Sequence, residues 1–145
     1  MISRRHRDKF VNLATADHVI LSATIESFRR LFAQQYQTNA EAEFEVLRRL
    51  LSQKVPEHFA YEDEHVFPSL LNDRPPAYEV RLINELQLEH VTLLQMMRAL
   101  NTKLASRTAT NISGDLWVAM LDFIDALARH TAKEDVLFNP PPPTV

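Results

Sequence analysis

One translation relates the two halves of this chain. His-x-x-x-Glu occurs at His58 and Glu62 and again at His130 and Glu134. The shift that takes position 58 to position 130 also carries His18 onto His90, and Leu21 onto Leu93, the leucine three residues after each leading histidine. HFAYED (His58 to Asp63) and HTAKED (His130 to Asp135) share four of six residues. Each pair follows, at one and the same spacing, a lone histidine preceded by an acid, Asp17-His18 and Glu89-His90. A repeat of this kind marks one supersecondary unit used twice. Here the unit carries imidazole and carboxylate, the side chains that suit non-haem iron, zinc, manganese or copper.

The 145 residues, 46% of them apolar, are of single-domain length and can bury a core. The only glycine is Gly114, too little for the tight turns of a sandwich or barrel of short strands, so long helices and few loops are expected. With no cysteine, thiolate zinc sites, iron–sulfur ligation and disulfides are excluded, and any metal must sit on histidine and carboxylate. A formal charge of −3 gives no general affinity for nucleic acid, and the basic start (Arg4, Arg5, Arg7, Lys9) is read as a solvated arm over residues 1–14, with His6 exposed on it. No apolar run reaches the length of a membrane span and no signal-peptide core follows the start, so a soluble, cytoplasmic protein is expected.

Four stretches have helical apolar spacing. The first holds His18, Leu21, Ile25, Phe28 and Phe32. The second opens on a Thr38-x-x-Glu41 capping box, runs through Leu47, Leu50, Leu51, Val55, His58, Glu62 and His65, should kink at Pro56, and is expected to end before Pro68. A third follows Arg74-Pro75-Pro76 and carries Leu82, Ile83, Leu86, His90, Leu93, Leu94, Met97, Leu100 and Leu104. The fourth, capped by Ser113 or Asn111, carries Trp117, Met120, Phe123, Leu127, His130 and Glu134 and stops by Asn139, before a proline-rich tail over 139–145. Short linkers make neighbours antiparallel. The expectation is an all-α, up-down-up-down four-helix bundle built from two helical hairpins related by a pseudo-two-fold axis, as a single domain.

Residues four apart on a helix share a face, so His58 with Glu62, and His130 with Glu134, can each converge on the interior, with His18 and His90 arriving from the other two helices. Two ionised carboxylates in apolar stripes need a compensating charge. Six ligands in two equivalent sets suit two metal ions, each with two imidazoles and with the glutamates as bridges. Taken singly, a histidine on an apolar stripe is more often a hydrogen-bonded core residue, and a lone His-x-x-x-Glu more often a surface pair; the shared translation favours the metal reading. His65 is about 10 Å further along its helix than His58, too far for the same ion. It reads as a cation near a helix end, with proton relay as the functional alternative, for which Tyr61 is a second candidate. Asp17 and Glu89 point about 100° away from the adjacent histidine and read as surface charges. Tyr61, Trp117, Phe123 and Leu127 read as core, the last two also able to shape a small pocket.

In its DHVIL, HFAYEDEHVFP, LEHVTLL and HTAKEDVLF segments the chain resembles the hemerythrin-like (HHE cation-binding) di-iron domains, from Asp17 to Pro140. The resemblance implies an oxo- or hydroxo-bridged pair of iron ions, with His18, His58, His90 and His130 as terminal ligands and Glu62 and Glu134 as bridges. Oxygen carriers of the family place a further histidine where this chain has Leu94, and use His-x-x-x-x-Asp on the last helix. His130 and Asp135 fit that spacing, but the repeat favours Glu134. The ligand set resembles that of proteins that repair iron centres and of stand-alone relatives that decompose peroxide or react with nitric oxide. The expected function is a di-iron centre that binds or turns over oxygen, hydrogen peroxide or nitric oxide in oxidative-stress chemistry. The alternative is an iron- or oxygen-sensing module, or an iron donor for repair.

Overall fold

The computed structural model describes residues 3–34, 40–107 and 112–140, with side chains from Lys9 onward. Helix α1 spans Ser3–Ala33 and α2 Ala40–Tyr61; a π turn, Glu62–Val66, links α2 to the short α3, Phe67–Asn72; α4 spans Ala77–Ser106 and α5 Gly114–Phe138. Helix α1 packs on α2 and α5, and α4 packs on α5 and α2, which closes the all-α bundle of two hairpins. No strand occurs among the described residues. Thr38, Asn111, the His6 side chain and the tail from Pro141 lie outside the described residues.

The buried positions explain the architecture. Helix α5 buries one stripe through Leu116, Met120, Phe123, Leu127, His130, Glu134 and Leu137, with Trp117, Ile124, Thr131 and Phe138 buried beside it, and α4 buries a stripe through Ile83, Leu86, His90, Leu93, Met97, Leu100 and Leu104. Steps of three and four alternate without a break, an average period of about 3.5, the pattern that packs helices near +20° in four-helix bundles. Helix α1 keeps the same rhythm through Val11, Ala14, His18, Leu21, Ile25 and Phe28. Ser113 caps α5, its hydroxyl accepting from the Leu116 amide.

Two expectations about helix ends are corrected. In its described part the stretch read as an arm is helical: residues 3–14 form the first turns of α1, and Val11 and Ala14 extend its buried stripe past His18. The second helical stretch does not stop before Pro68 but continues to Asn72, and α2 also runs through Pro56. The π turn makes the continuation possible. The Phe67 amide donates to the Glu62 carbonyl, five residues back, and Pro68 then falls in the first turn of a fresh helix, where no backbone donor is required.

The core is split in two by a polar layer. On one side lie Leu21, Ile25, Phe28, Phe44, Val55, Phe59, Leu93, Met97, Trp117, Phe123 and Leu127. On the other lie Val11, Ala14, Val66, Phe67, Leu70, Ile83, Leu86, Leu137 and Phe138. Between them, on the four long helices and at the first residue of the π turn, come His18, His58, Glu62, His90, His130 and Glu134, each buried.

Candidate metal centre

The six residues singled out by the repeat meet at one place. His18, His58, Glu62 and Glu134 can each offer a donor atom to a common point, as can Glu62, His90, His130 and Glu134, with all donors in a group within 4.8 Å of one another. Both glutamates belong to both groups. Glu62 Oε2 lies 3.2 Å from His58 Nε2 and 3.6 Å from His18 Nε2, while its other oxygen, Oε1, lies 3.1 Å from His90 Nε2. Glu134 Oε1 is 3.2 Å from both His130 Nε2 and His18 Nε2, and Oε2 is 3.7 Å from His90 Nε2. Each carboxylate therefore spans the two histidine pairs, the geometry of a bridging ligand.

The donor atoms also lack other partners. Glu62 Oε2, both Glu134 oxygens and His130 Nε2 are buried and make no hydrogen bond. Both glutamates have fully buried side chains (0% exposed). Leaving buried carboxylate oxygens unsatisfied is costly, and two facing carboxylates repel. A divalent cation in each group would satisfy both demands, so the residues present fit a metal centre.

The outer face of each of these four histidines is also occupied. The Nδ1 of His18 donates to Asp135 at 2.7 Å, that of His58 to Asp17 at 3.1 Å, that of His90 to Asp63 at 3.0 Å and that of His130 to Glu89 at 2.9 Å. Nδ1 is thereby committed outward and Nε2 faces the centre, the arrangement by which carboxylates orient metal-binding imidazoles. Asp17 and Glu89 are thus not free surface charges. They do turn away from the histidine next to them, and that turn aims each at a histidine of another helix. Asp135 fills the same supporting role, with its side chain 51% exposed and outside both donor groups, so Glu134 is the inward acid of the last helix. These four acids obey the same translation as the histidines, Asp17 onto Glu89 and Asp63 onto Asp135, and that was the signal by which they could have been found.

Aromatic rings pack the centre. Phe67 stacks on His90 at 5.7 Å and 25°, and Phe138 on His18 at 5.7 Å and 22°. The two phenylalanines are equivalent across the pseudo-two-fold, yet the shift that relates the histidines would carry Phe67 onto Asn139, one position too far. The π turn adds one residue to the first hairpin after Glu62 and so accounts for the slip. Phe59 lies face to face with His90 at 4.0 Å and edge-on to His130 at 5.3 Å. Leu94 packs against the core. His65 is outside the donor groups, half exposed on the π turn, and stacks on Phe10 at 5.3 Å. Tyr61, whose ring centroid is 5.2 Å from that of His65, has a buried hydroxyl without a hydrogen bond; burial, with the charge of Asp17, raises its pKa.

Burial alone would push the His18, His58 and His90 imidazoles down, but the surrounding carboxylates outweigh it. Glu134 and Glu62 hold His18 up at about 10 and His58 at about 9; Asp63, with Glu134 and Glu62, holds His90 at about 11. Burial would raise Glu134, yet the four imidazoles keep it well below the usual carboxylate range. Folded-state values raised above the ordinary 6.5 stabilise the protonated folded chain, fully so below pH 6.5, and that contribution is lost as the pH rises through 9 to 11. The metal-free protein should therefore melt at a lower temperature at pH 10.5 than at pH 7. Metal loading at pH 7 should release protons, read as acidification of a weakly buffered solution, and acid should weaken binding. Loading without acidification would contradict the assignment.

A four-helix bundle with a histidine and carboxylate centre buried between its hairpins is the architecture of a metal-binding bundle protein. The chain belongs to the hemerythrin family: the model of the hemerythrin HHE cation binding domain matches residues 11–140. No curated protein and no solved structure matched it. It is a metal-binding, hemerythrin-like protein. No helix among its described residues is long and apolar enough to cross a membrane.

Proposed function

We propose that the centre holds two iron ions, one with His18 and His58 and one with His90 and His130, both spanned by Glu62 and Glu134. Its reaction partner is a small oxygen or nitrogen species, with turnover of hydrogen peroxide or nitric oxide as the principal activity. The observation that carries this reading is the division of six buried donors into two groups that share two carboxylates. Bound iron would supply a redox-active Lewis acid with coordination positions that four imidazoles and two carboxylates leave open.

The chain's own contribution is to hold that set rigid and dry. The Nδ1 contacts fix each imidazole, and the rings of Phe59, Phe67 and Phe138 pack against the histidines and exclude water. Leu94 stands where an oxygen carrier of the family has one more imidazole, which favours reaction over reversible storage. His65 and Tyr61, side by side at the π turn, are the candidates for proton delivery.

Elemental analysis of freshly purified protein should give two iron ions per chain, with near-ultraviolet and visible absorption after aerobic loading. A ratio near one, or zinc alone without that absorption, would count against the pair. The loaded protein should consume added hydrogen peroxide over many cycles. Consumption that stops at one equivalent would instead favour a sensing module or an iron donor.

A further inference from the structure

The four outer acids fall into two kinds. Asp63 and Asp135, behind His90 and His18, are half exposed, with side chains 42% and 51% accessible. Asp17 and Glu89, behind His58 and His130, are more enclosed, and each is gripped by a lysine: Lys54 Nζ lies 2.6 Å from Asp17 Oδ1, and Lys133 Nζ lies 2.6 Å from Glu89 Oε2. In both, one carboxylate oxygen faces the lysine and the other faces Nδ1 of the histidine.

The lysines themselves do not obey the repeat. The position equivalent to Lys54 is Ala126, and the position equivalent to Lys133 is Tyr61. Lys54 comes four residues before His58, and Lys133 three residues after His130. Two unrelated positions thus deliver an ammonium to two related acids at the same distance. Inheritance from a duplicated unit explains the acids but not the lysines. A common requirement at the two histidines explains both.

We propose that Asp17 with Lys54, and Glu89 with Lys133, are positioning pairs of the metal centre, which clamp His58 and His130 with Nε2 aimed at the ions. The lysine fixes the carboxylate, which would otherwise swing on its own rotatable bonds, and the carboxylate fixes the ring. Each of the two donor groups contains one clamped histidine, His58 or His130, and one backed by a looser acid, His18 or His90. Each ion therefore has one rigid and one adaptable imidazole, so the coordination sphere can readjust on one side without losing its anchor on the other. This inference rests on the metal reading above.

Its test is iron(II) affinity, measured anaerobically by competition with a chromophoric chelator, on the wild type and on Asp17→Ala, Asp17→Asn and Lys54→Met. Asp17→Ala should weaken binding about 10–100-fold, the usual cost of removing an outer partner of a metal-ligating histidine. Asp17→Asn keeps an acceptor for Nδ1 and should recover most of that loss. Lys54→Met should fall between them, and cobalt(II)-loaded Lys54→Met should show shifted ligand-field bands. The metal-free melting temperatures report the fold separately. Wild-type affinity and spectra in all three variants would overturn the clamp while leaving the metal centre standing. Loss of affinity only in proportion to a lowered metal-free melting temperature would also overturn it, as the signature of a merely structural pair. A wild type that binds no iron would remove the metal reading and the clamp together. If Asp17→Ala fails to fold, the same comparison on Glu89→Gln and Lys133→Met decides, with weakened iron(II) binding in Lys133→Met expected and unchanged binding contradicting the clamp.

Discussion

Glu62→Ala should strip the centre of most of its bound metal and, with it, of the stability that the metal confers. Glu62 touches both histidine pairs, Oε2 towards His58 and His18 and Oε1 towards His90, so no other single truncation except that of Glu134 removes a donor from both groups. A ligand that binds only the folded chain stabilises it by about 2.7 to 4 kcal/mol at 100 to 1,000 times its dissociation constant. For a chain of this size that corresponds to roughly 6–16 °C in melting temperature, and the loaded variant should lose that amount. The metal-free variant should shift far less, because the truncation also removes one of two buried carboxylates that face each other without a cation between them. Metal content by elemental analysis and paired melts with and without metal make the measurement. A variant that keeps the wild-type metal content and an unchanged loaded melting temperature would show that Glu62 is not a ligand.

Phe59→Ala should be the most damaging apolar substitution near the centre. The ring is 1% exposed, stacks on His90 at 4.0 Å and meets His130 edge-on at 5.3 Å, while its body belongs to the larger core cluster. Truncating a fully buried phenylalanine costs about 3–5 kcal/mol through lost burial and the cavity left behind, or roughly 6–20 °C here. The loss should appear in the metal-free protein as well, which separates it from the effect of Glu62→Ala. Bound metal should also leave faster, since His90 and His130 lose the ring that holds them. Denaturant melts of the metal-free form and the rate of metal transfer to a chelator test both parts. An unchanged melt midpoint would show that Phe59 does not pack the centre in this way.

The internal translation determined a good deal unaided. Because ligands must share a helix face, the spacing of His58 to Glu62 and of His130 to Glu134 implied both helices and their inward sides, and the lone His18 and His90 implied the other two. Scarcity of glycine removed the strand-rich alternatives. The six residues so marked lie together in the structure, in two groups that share both glutamates.

Beyond the reach of the spacing was anything decided between helices. The translation marks Asp17 and Glu89 as a related pair, but only packing shows that their outward direction leads to the back of His58 and His130. The lysines that grip them sit outside the repeat, so no pattern marked them. The basic first residues read as an arm because charge dominates the local composition, whereas Val11 and Ala14 gain a place in the second core cluster only once α3 and α5 arrive. The π turn was hidden for a related reason. An inserted residue leaves the pattern before Glu62 intact and moves every later residue by one position, so Phe67 and Phe138 take up equivalent places on His90 and His18 that a comparison at the histidines' offset misses. Local spacing chose the helices and their inward faces, because side-chain direction on a helix follows from its period alone. The partner behind each histidine was chosen by tertiary packing, because it depends on the angle and register at which two helices meet.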